Sequence, residues 1–232
     1  MRIDYLALLC AVALLVGGGC RDKAPVPVDV PLPQGLKDLA LFRDGTYWVY
    51  RNAQTGELDS AYVTGFRLFT LDVTLGKLPK DPVVARHETF EYDVRSTRTG
   101  QRLQYVSAVN CIAAAYDPNG LFHKVLRLPV GPAGTGGDGI AHFLFYQPVV
   151  GTARQSNGFS TSTVVAVHDT LTVGGVLYRR VVQVDTDRNY SELPSEAPSR
   201  HFIAPGAGLV RREVQVNGRF VRWDVVRKRI VQ

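Results

Sequence analysis

The dipeptide Asn217-Gly218 constrains the fold more than any other feature, because it separates two runs of alternating apolar and polar residues. Asn-Gly is the strongest two-residue hairpin signal, and a two-residue turn fixes the register of both flanking strands. The paired positions are Val216 with Arg219, Val214 with Val221, Arg212 with Trp223 and Val210 with Val225 on one face, and Glu213 with Arg222 and Arg211 with Asp224 on the other. A slip of one residue would turn the valines to water, so the sequence specifies this pairing strongly.

Similar period-two runs, bounded by turn residues, recur along most of the chain and are typical of antiparallel strands. The predicted strands are Thr46–Arg51, Leu58–Phe66, Glu88–Thr97, Arg102–Cys111, Leu121–Val130, Ile140–Gln147, Thr163–Val173, Val176–Asp185, His201–Ala204, Leu209–Val216 and Arg219–Arg227. A short helical turn is predicted at Gly35–Phe42. We therefore predict an all-β, mainly antiparallel fold: a curved sheet, half-barrel or barrel of serial hairpins with at most one or two short helices.

The Gly174-Gly175 turn predicts a second hairpin with its own apolar face. That face contains Val165, Val167, Leu171, Val173, Val176, Tyr178, Val182 and Val184. The same register sets Asp169 opposite Arg180 on this face. Two interpretations follow: an ion pair, buried or at the rim, or a bulge near His168-Asp169.

The first twenty residues have the layout of an export signal. Arg2 precedes an apolar run from Tyr5 to Val16, which is too short to span a bilayer, and three glycines lead directly to Cys20. This pattern resembles the lipobox of bacterial lipoproteins, although a usual lipobox has leucine where this chain has Gly17. The resemblance implies lipid attachment at Cys20 and a place in the bacterial cell envelope, in the outer membrane rather than the inner. Ordinary cleavage that leaves a free cysteine, or an uncleaved anchor, are the alternatives.

These signals divide the chain into three parts. Residues 1–19 are predicted to be the signal peptide, residues 20–34 a proline-rich tether, and residues 35–232 a single antiparallel β domain. Alternating prolines favour an extended polyproline II conformation in the tether. After loss of the signal, Cys111 is the one remaining cysteine besides Cys20, and its apolar setting favours a buried thiol.

Motifs for enzymatic chemistry are scarce. Residues 134–139 match the G-x-G-x-x-G pattern, but a predicted strand follows where a phosphate-binding motif needs a helix. The five histidines are scattered without metal-ligand spacing. We therefore expect no enzymatic activity, no cofactor or metal, and no nucleic-acid partner. A site assembled from distant strands remains open.

Two groups of residues are candidates for binding. Trp48 and Tyr50 share one face of a short aromatic strand, where they either line a cavity for an apolar ligand or pack in the core of a strand that is buried on both sides. The net charge of +6 is concentrated in the last thirty residues. Apart from Arg212, which faces Trp223 on the apolar side, the basic residues that the predicted pairing leaves free are Arg219, Arg227, Lys228 and Arg229. They predict either an anion-binding surface or an ordinary solvated face.

Several stretches look similar to those of bacterial envelope lipoproteins, among them residues 45–50, 55–60, 172–178 and 204–210. The resemblance implies a curved antiparallel sheet, similar to the half-barrel of lipoprotein-localisation carriers, and it carries over no catalytic residue. The first hypothesis is a membrane-anchored, non-enzymatic lipoprotein that binds an apolar or amphipathic ligand, or an envelope protein or glycan. The second is a structural or assembly lipoprotein that contacts anionic envelope polymers through its basic C-terminal hairpin. A hydrolase is the third.

Overall fold

The computed structural model describes residues 27–75, 83–98, 102–109, 123–129, 144–145, 148–156, 160–189 and 197–232. Their helix, α1, spans Gln34–Ala40. Their strands are β1 (Val28–Val30), β2 (Tyr47–Asn52), β3 (Leu58–Leu75), β4 (Val83–Ser96), β5 (Arg102–Val109), β6 (His123–Pro129), β7 (Leu144–Phe145), β8 (Ala153–Ser156), β9 (Ser160–Val173), β10 (Val176–Asn189), β11 (Ala197–Ala204), β12 (Gly208–Val216) and β13 (Arg219–Arg229). The predicted signal peptide, Cys20, Cys111 and residues 134–139 lie outside the described residues.

The described strands form one sheet, in the order β7-β6-β5-β4-β3-β2-β13-β12-β11-β10-β9-β8. The last strand of the chain therefore pairs with the second, and two meanders run outward from that junction. The strands at the two ends, β7 and β8, follow each other in the chain, and the connection from Phe145 to Ala153 reaches at most about 29 Å. A flat sheet would hold them about 50 Å apart. The sheet must therefore curl, although β7 and β8 are not paired in the described part.

This arrangement confirms the predicted fold class, a curved all-β sheet with a short helix, in its open form. One strand pair departs from the antiparallel rule, because β1 runs parallel to β4 with Val28 opposite Ala85. The residues of β1, and Leu32, which is buried, belong to the stretch predicted as a proline-rich tether. Within that stretch, Val28–Val30 pair with β4 and Leu32 packs in the core.

The register of the β12–β13 hairpin is the predicted one. Glu213 lies opposite Arg222, Arg212 opposite Trp223, and the pairing continues to the turn. Asn217 has a φ of +50° and Gly218 a φ of +77°, as a two-residue hairpin turn requires. The predicted apolar face is also correct, since Val210, Val214, Trp223 and Val225 are all buried.

The β9–β10 hairpin keeps the predicted register and part of the predicted apolar face, since Val173, Tyr178, Val182 and Val184 are buried. Its pairing follows the turn from Val173 with Val176 as far as Ala166 with Gln183, where a bulge shifts it by one residue. At the bulge Val164 is buried and Val165 is exposed, and of the predicted face Val167 and Val176 are exposed as well.

The predicted Asp169–Arg180 contact falls at a second irregularity in this hairpin. Arg180 has a φ of +53°, both side chains are exposed, and the two residues do not pair although their neighbours do. The strand irregularity near His168-Asp169 is therefore the alternative that the structure favours, and a buried ion pair is excluded.

The core lies on one face of the sheet, which we call the helix face because α1 packs against it. Leu36, Leu39 and Phe42 join the rings of Trp48 and Tyr50 in one buried cluster. The Tyr92 hydroxyl donates to the Ala40 carbonyl at 2.7 Å. The Gly206 amide donates to the Asp38 carbonyl, also at 2.7 Å. These bonds connect α1 to β4 and to the β11–β12 turn, so residues 32–42 cover the helix face at this point.

Candidate binding surface

Trp48 and Tyr50, the predicted ligand-facing residues, lie in the core of the helix face and are at most 4% exposed. The Trp48 Nε1 donates to the Ala207 carbonyl at 2.7 Å, and the Tyr50 hydroxyl to the Leu209 carbonyl at 2.9 Å. Phe42 meets the Trp48 ring edge-on at 5.2 Å. The polar atoms of both rings are therefore used within the fold.

A buried ion pair lies beside these rings. The Arg212 guanidinium binds Asp59, whose side chain is fully buried, and lies about 5 Å from the ring centroids of Tyr50 and Trp223. The Ser96 hydroxyl donates to the other Asp59 oxygen at 2.8 Å. These contacts explain why the predicted apolar face tolerates an arginine: its charge is paired, and aromatic rings cover it.

The position of Trp48 and Tyr50 differs from the predicted cavity lining. Residues 32–42 and the 204–209 turn fill the space over the rings, and Val49 on the opposite side of β2 is buried as well. The alternative interpretation, a strand buried on both sides, describes this structure. An apolar ligand could reach these rings only if the chain's own residues moved away.

The four basic candidates do not form one patch. Arg219 lies at the hairpin end of β13, ten residues or about 33 Å along the strand from Arg229. It lines an open cleft of about 510 Å³ with Gln54, Val216, Asn217, Phe220 and Val221. Lys228 lies opposite Trp48, and its Nζ donates to the Tyr178 hydroxyl at 2.7 Å. Arg227 and Arg229 are exposed two residues apart, so their side chains share the face opposite α1, which we call the outer face.

On the outer face, Arg229 begins a row that crosses four strands. It pairs with Tyr47 of β2, which pairs with Tyr62 of β3, which pairs with Arg95 of β4. Directly paired residues project from the same side of a sheet, so the two tyrosine rings lie between two arginines along about 14 Å. Tyr62 is 38% exposed, Tyr47 is half-buried, and both arginines are exposed. Arg227 lies beside this row, and we call the five residues the Arg-Tyr row.

The charges of the Arg-Tyr row are uncompensated within the described residues. None of Arg95, Arg227 and Arg229 has an acidic group within ion-pair distance there. In the adjacent part of the outer face, by contrast, basic and acidic residues alternate. Across β10 to β13 the residues Asp185, Arg200, Glu213 and Arg222 pair in one line of alternating charge. The Arg-Tyr row therefore carries positive charge without acidic partners, next to a region of the outer face in which opposite charges alternate.

Sequence reasoning identified Arg227 and Arg229 but missed Tyr47, Tyr62 and Arg95. The row depends on the pairing of β13 with β2, which are more than 170 positions apart, and no local signal encodes that contact. Strand alternation sets Tyr47 on the face opposite Trp48 and Tyr50, but it gives no sign of the arginine beside it. The wide spacing of the residues in sequence is why they do not read as a motif.

The part of the chain that the structure describes contains no cluster of three or more side chains able to hold a metal ion. Among the same residues, no helix has both the length and the apolar character needed to cross a membrane.

Comparison with known proteins gives one weak structural likeness. No protein-family model matches the chain, and no curated protein matches it. Among solved structures, the chain is similar to one described as a candidate lipoprotein from Parabacteroides distasonis. The two are 13% identical, the similarity covers 81% of this chain and 96% of the other, and the TM-score is 0.31. A likeness at this level carries no argument about function.

Proposed function

We propose that this protein is a lipid-anchored, non-enzymatic lipoprotein of the bacterial cell envelope that binds an anionic envelope glycan through the Arg-Tyr row. The observation that carries the proposal is the cross-strand line of two partly exposed tyrosines flanked by arginines without acidic partners among the described residues. The lipid anchor rests on the sequence at Cys20.

The chemistry of the row suits a polymer that bears carboxylate or phosphate groups. Guanidinium groups form paired hydrogen bonds with both anions. The tyrosine rings offer flat apolar surface to a sugar ring, and their hydroxyls remain available for hydrogen bonds. Neighbouring strands hold the groups about 5 Å apart, so the row is rigid before a ligand arrives. The filled helix face supports a surface site over an interior one.

Binding to dextran sulfate and to neutral dextran of the same length would test the surface. We expect the full chain to bind dextran sulfate, and to bind less as salt is added. Arg227→Ala and Arg229→Ala should each weaken binding by roughly ten- to a hundredfold, since a charge-assisted contact contributes about 1.5–3 kcal/mol.

Arg219→Ala is the matched control, because it removes the same charge at the far end of the same strand. Equal losses from all three variants would mean that only net charge matters, which would overturn the site. Tyr62→Ala should weaken binding without changing its salt dependence. Neutral dextran need not compete with dextran sulfate for this surface, because it has no charged group for the arginines to bind.

The anchor has its own test. Labelled fatty acid should enter the wild-type protein but not the Cys20→Ala variant, which should also leave the membrane fraction. Equal labelling of the two proteins would remove the lipoprotein assignment while leaving the glycan surface untouched.

A further inference from the structure

β3 and β4 form a long arm that leaves one edge of β3 open. β2 pairs with β3 only as far as Tyr62, and no described strand pairs with the rest of that edge. After a bulge, the Phe66 amide donates to the Asp44 carboxylate at 3.1 Å, which caps the edge. Beyond this cap Leu68, Phe69 and Leu71 are 44%, 37% and 52% exposed. The described part of the fold therefore presents an apolar edge strand.

The Phe66 bond shows which backbone groups face outward. In a strand, the N–H and C=O groups of every second residue point to the same edge. Because the Phe66 amide points to the open edge, the backbone groups of Leu68, Thr70, Asp72 and Thr74 point there too. The residues between them bond to β4. Such a row of N–H and C=O groups is best satisfied by another extended backbone.

We propose that this edge pairs antiparallel with the same edge of a second copy of the chain, about a two-fold axis at Leu71. Leu71 then lies opposite Leu71 of the other copy and Phe69 opposite Val73, while Thr70 meets Asp72 and Leu68 meets Thr74. All four outward-facing residues find backbone partners. The exposed apolar side chains of one face come together, in the self-complementary manner of a two-fold interface.

Other registers fit less well. An axis at Thr70 sets Leu68 against Asp72, and it sets Thr74 against Phe66, whose N–H Asp44 already binds. An axis at Phe69 sets Leu71 against the charged Arg67. A shift by one residue is excluded, because a two-fold axis normal to the sheet can pair only residues that point to the same side.

The charges on the arm do not oppose the approach of a second copy. Arg67 pairs with Glu91, and Arg86 lies 3.3 Å from Asp72 and 3.9 Å from Asp29. The charged residues of β3 nearest the axis, Arg67 and Asp72, thus each have a counter-charge on β4. The contact therefore depends mainly on backbone bonds and apolar side chains.

Disulfide trapping in membranes that carry the full chain, in a Cys111→Ser background, tests the axis. Residues directly opposite each other at a non-hydrogen-bonded pair have Cα atoms about 4.5 Å apart, within disulfide range. Leu71→Cys should therefore form a covalent dimer under mild oxidation. Phe69→Cys, on the same face of the same strand, should not, because its two copies would lie about 13 Å apart along the strands.

Thr70→Pro in the Leu71→Cys chain should reduce trapping severalfold, since it removes an outward N–H but no bond to β4. Thr70→Ala keeps the N–H and should trap as well as the parent. Equal trapping at positions 69 and 71, no trapping at 71, or trapping of a different protein at 71 would each overturn the proposal. Thermal unfolding of every variant would show that the arm remains folded.

Discussion

Glu213 lies directly opposite Arg222 across the β12–β13 hairpin, yet its closest cation is Arg200 on the other side, 3.5 Å away. Arg222 in turn reaches Asp224, its neighbour two positions along β13, at 3.4 Å. Arg200 also contacts Asp185 at 3.4 Å and lies 3.9 Å above the Phe220 ring. The hairpin register thus sets the positions of these residues. Which of them form ion pairs depends on the whole row of charged residues across four strands, from Asp185 on β10 to Arg222 on β13.

Double-mutant cycles should show whether Glu213 interacts more strongly with Arg222, its direct cross-strand neighbour, or with Arg200, its ion-pair partner. The Arg200–Glu213 pair should show a coupling of about 0.2–1 kcal/mol that shrinks as salt is added, because both groups are partly exposed. The Glu213–Arg222 coupling should be smaller, since each partner already has a nearer counter-charge. Urea unfolding of the two cycles measures both energies. A larger Glu213–Arg222 coupling would contradict this assignment of the ion pairs.

The buried Asp59–Arg212 pair should matter far more. Asp59→Ala would leave the Arg212 guanidinium without its buried counter-charge, which costs about 3–5 kcal/mol of unfolding free energy. Asp72→Ala is the exposed control, and it should cost less than about 1 kcal/mol, because Arg86 and Asp72 are both open to solvent. The double variant Asp59→Ala/Arg212→Met should recover part of the loss. Similar costs for Asp59→Ala and Asp72→Ala would show that the pair is not buried in solution.

How much of this fold the sequence predicts depends on how local each contact is. Asn217-Gly218 and Gly174-Gly175 set the registers of their hairpins because a turn couples residues that are close in sequence. The apolar face of this hairpin was predicted only in part, because neither the bulge beside Val165 nor the positive φ of Arg180 on β10 has a sequence signal.

The contacts between distant residues were not predictable from the sequence. Nothing in the residues of β13 shows that Arg229 pairs with Tyr47, so the Arg-Tyr row could be recognised only in the fold. The aromatic density at Trp48 and Tyr50 fitted either a cavity lining or a packed core, and the sequence alone did not decide between them. Phe42 and α1 fill the space over these rings. They belong to a stretch with a short helical pattern, and that pattern does not show where the stretch packs on the sheet.

Two neighbouring residues of β4 should make stability sensitive to acid in two separate pH windows. Burial lowers the pKa of His87, so the folded state favours the neutral ring. The unfolded chain then binds protons first, and stability present above about pH 6.5 is lost as the pH falls below that value. His87→Gln should flatten this part of a curve of unfolding free energy against pH. An unchanged slope there would contradict the burial of His87.

Glu88 acts at lower pH. Burial raises the pKa of its carboxyl, but the Leu32 amide at 2.9 Å and the Lys37 ammonium at 3.0 Å lower it, and the net pKa lies below the usual value. A depressed carboxyl pKa stabilises the fold above about pH 4.5, and that stability is lost as the pH falls further. Glu88→Gln should remove this loss and leave the His87 window unchanged, so each variant controls for the other. Loss of both windows in Glu88→Gln would indicate that the β1 segment had detached.

The tip of the β9–β10 hairpin should depend on Gly174 for its close contact with β13. Gly174 and Gly175 both have a positive φ, so alanine at either position is strained by about 1–2 kcal/mol. A Cβ at Gly174 would lie 2.3 Å from the Val225 carbonyl oxygen, whereas a Cβ at Gly175 would have no atom within 4 Å. Gly174→Ala must therefore lift the tip, which exposes the buried Val173 and separates Tyr178 from Lys228. It should cost about 1.5–3 kcal/mol more than Gly175→Ala in urea unfolding, the value of one buried valine. Equal costs for the two variants would mean that the tip does not rest on β13.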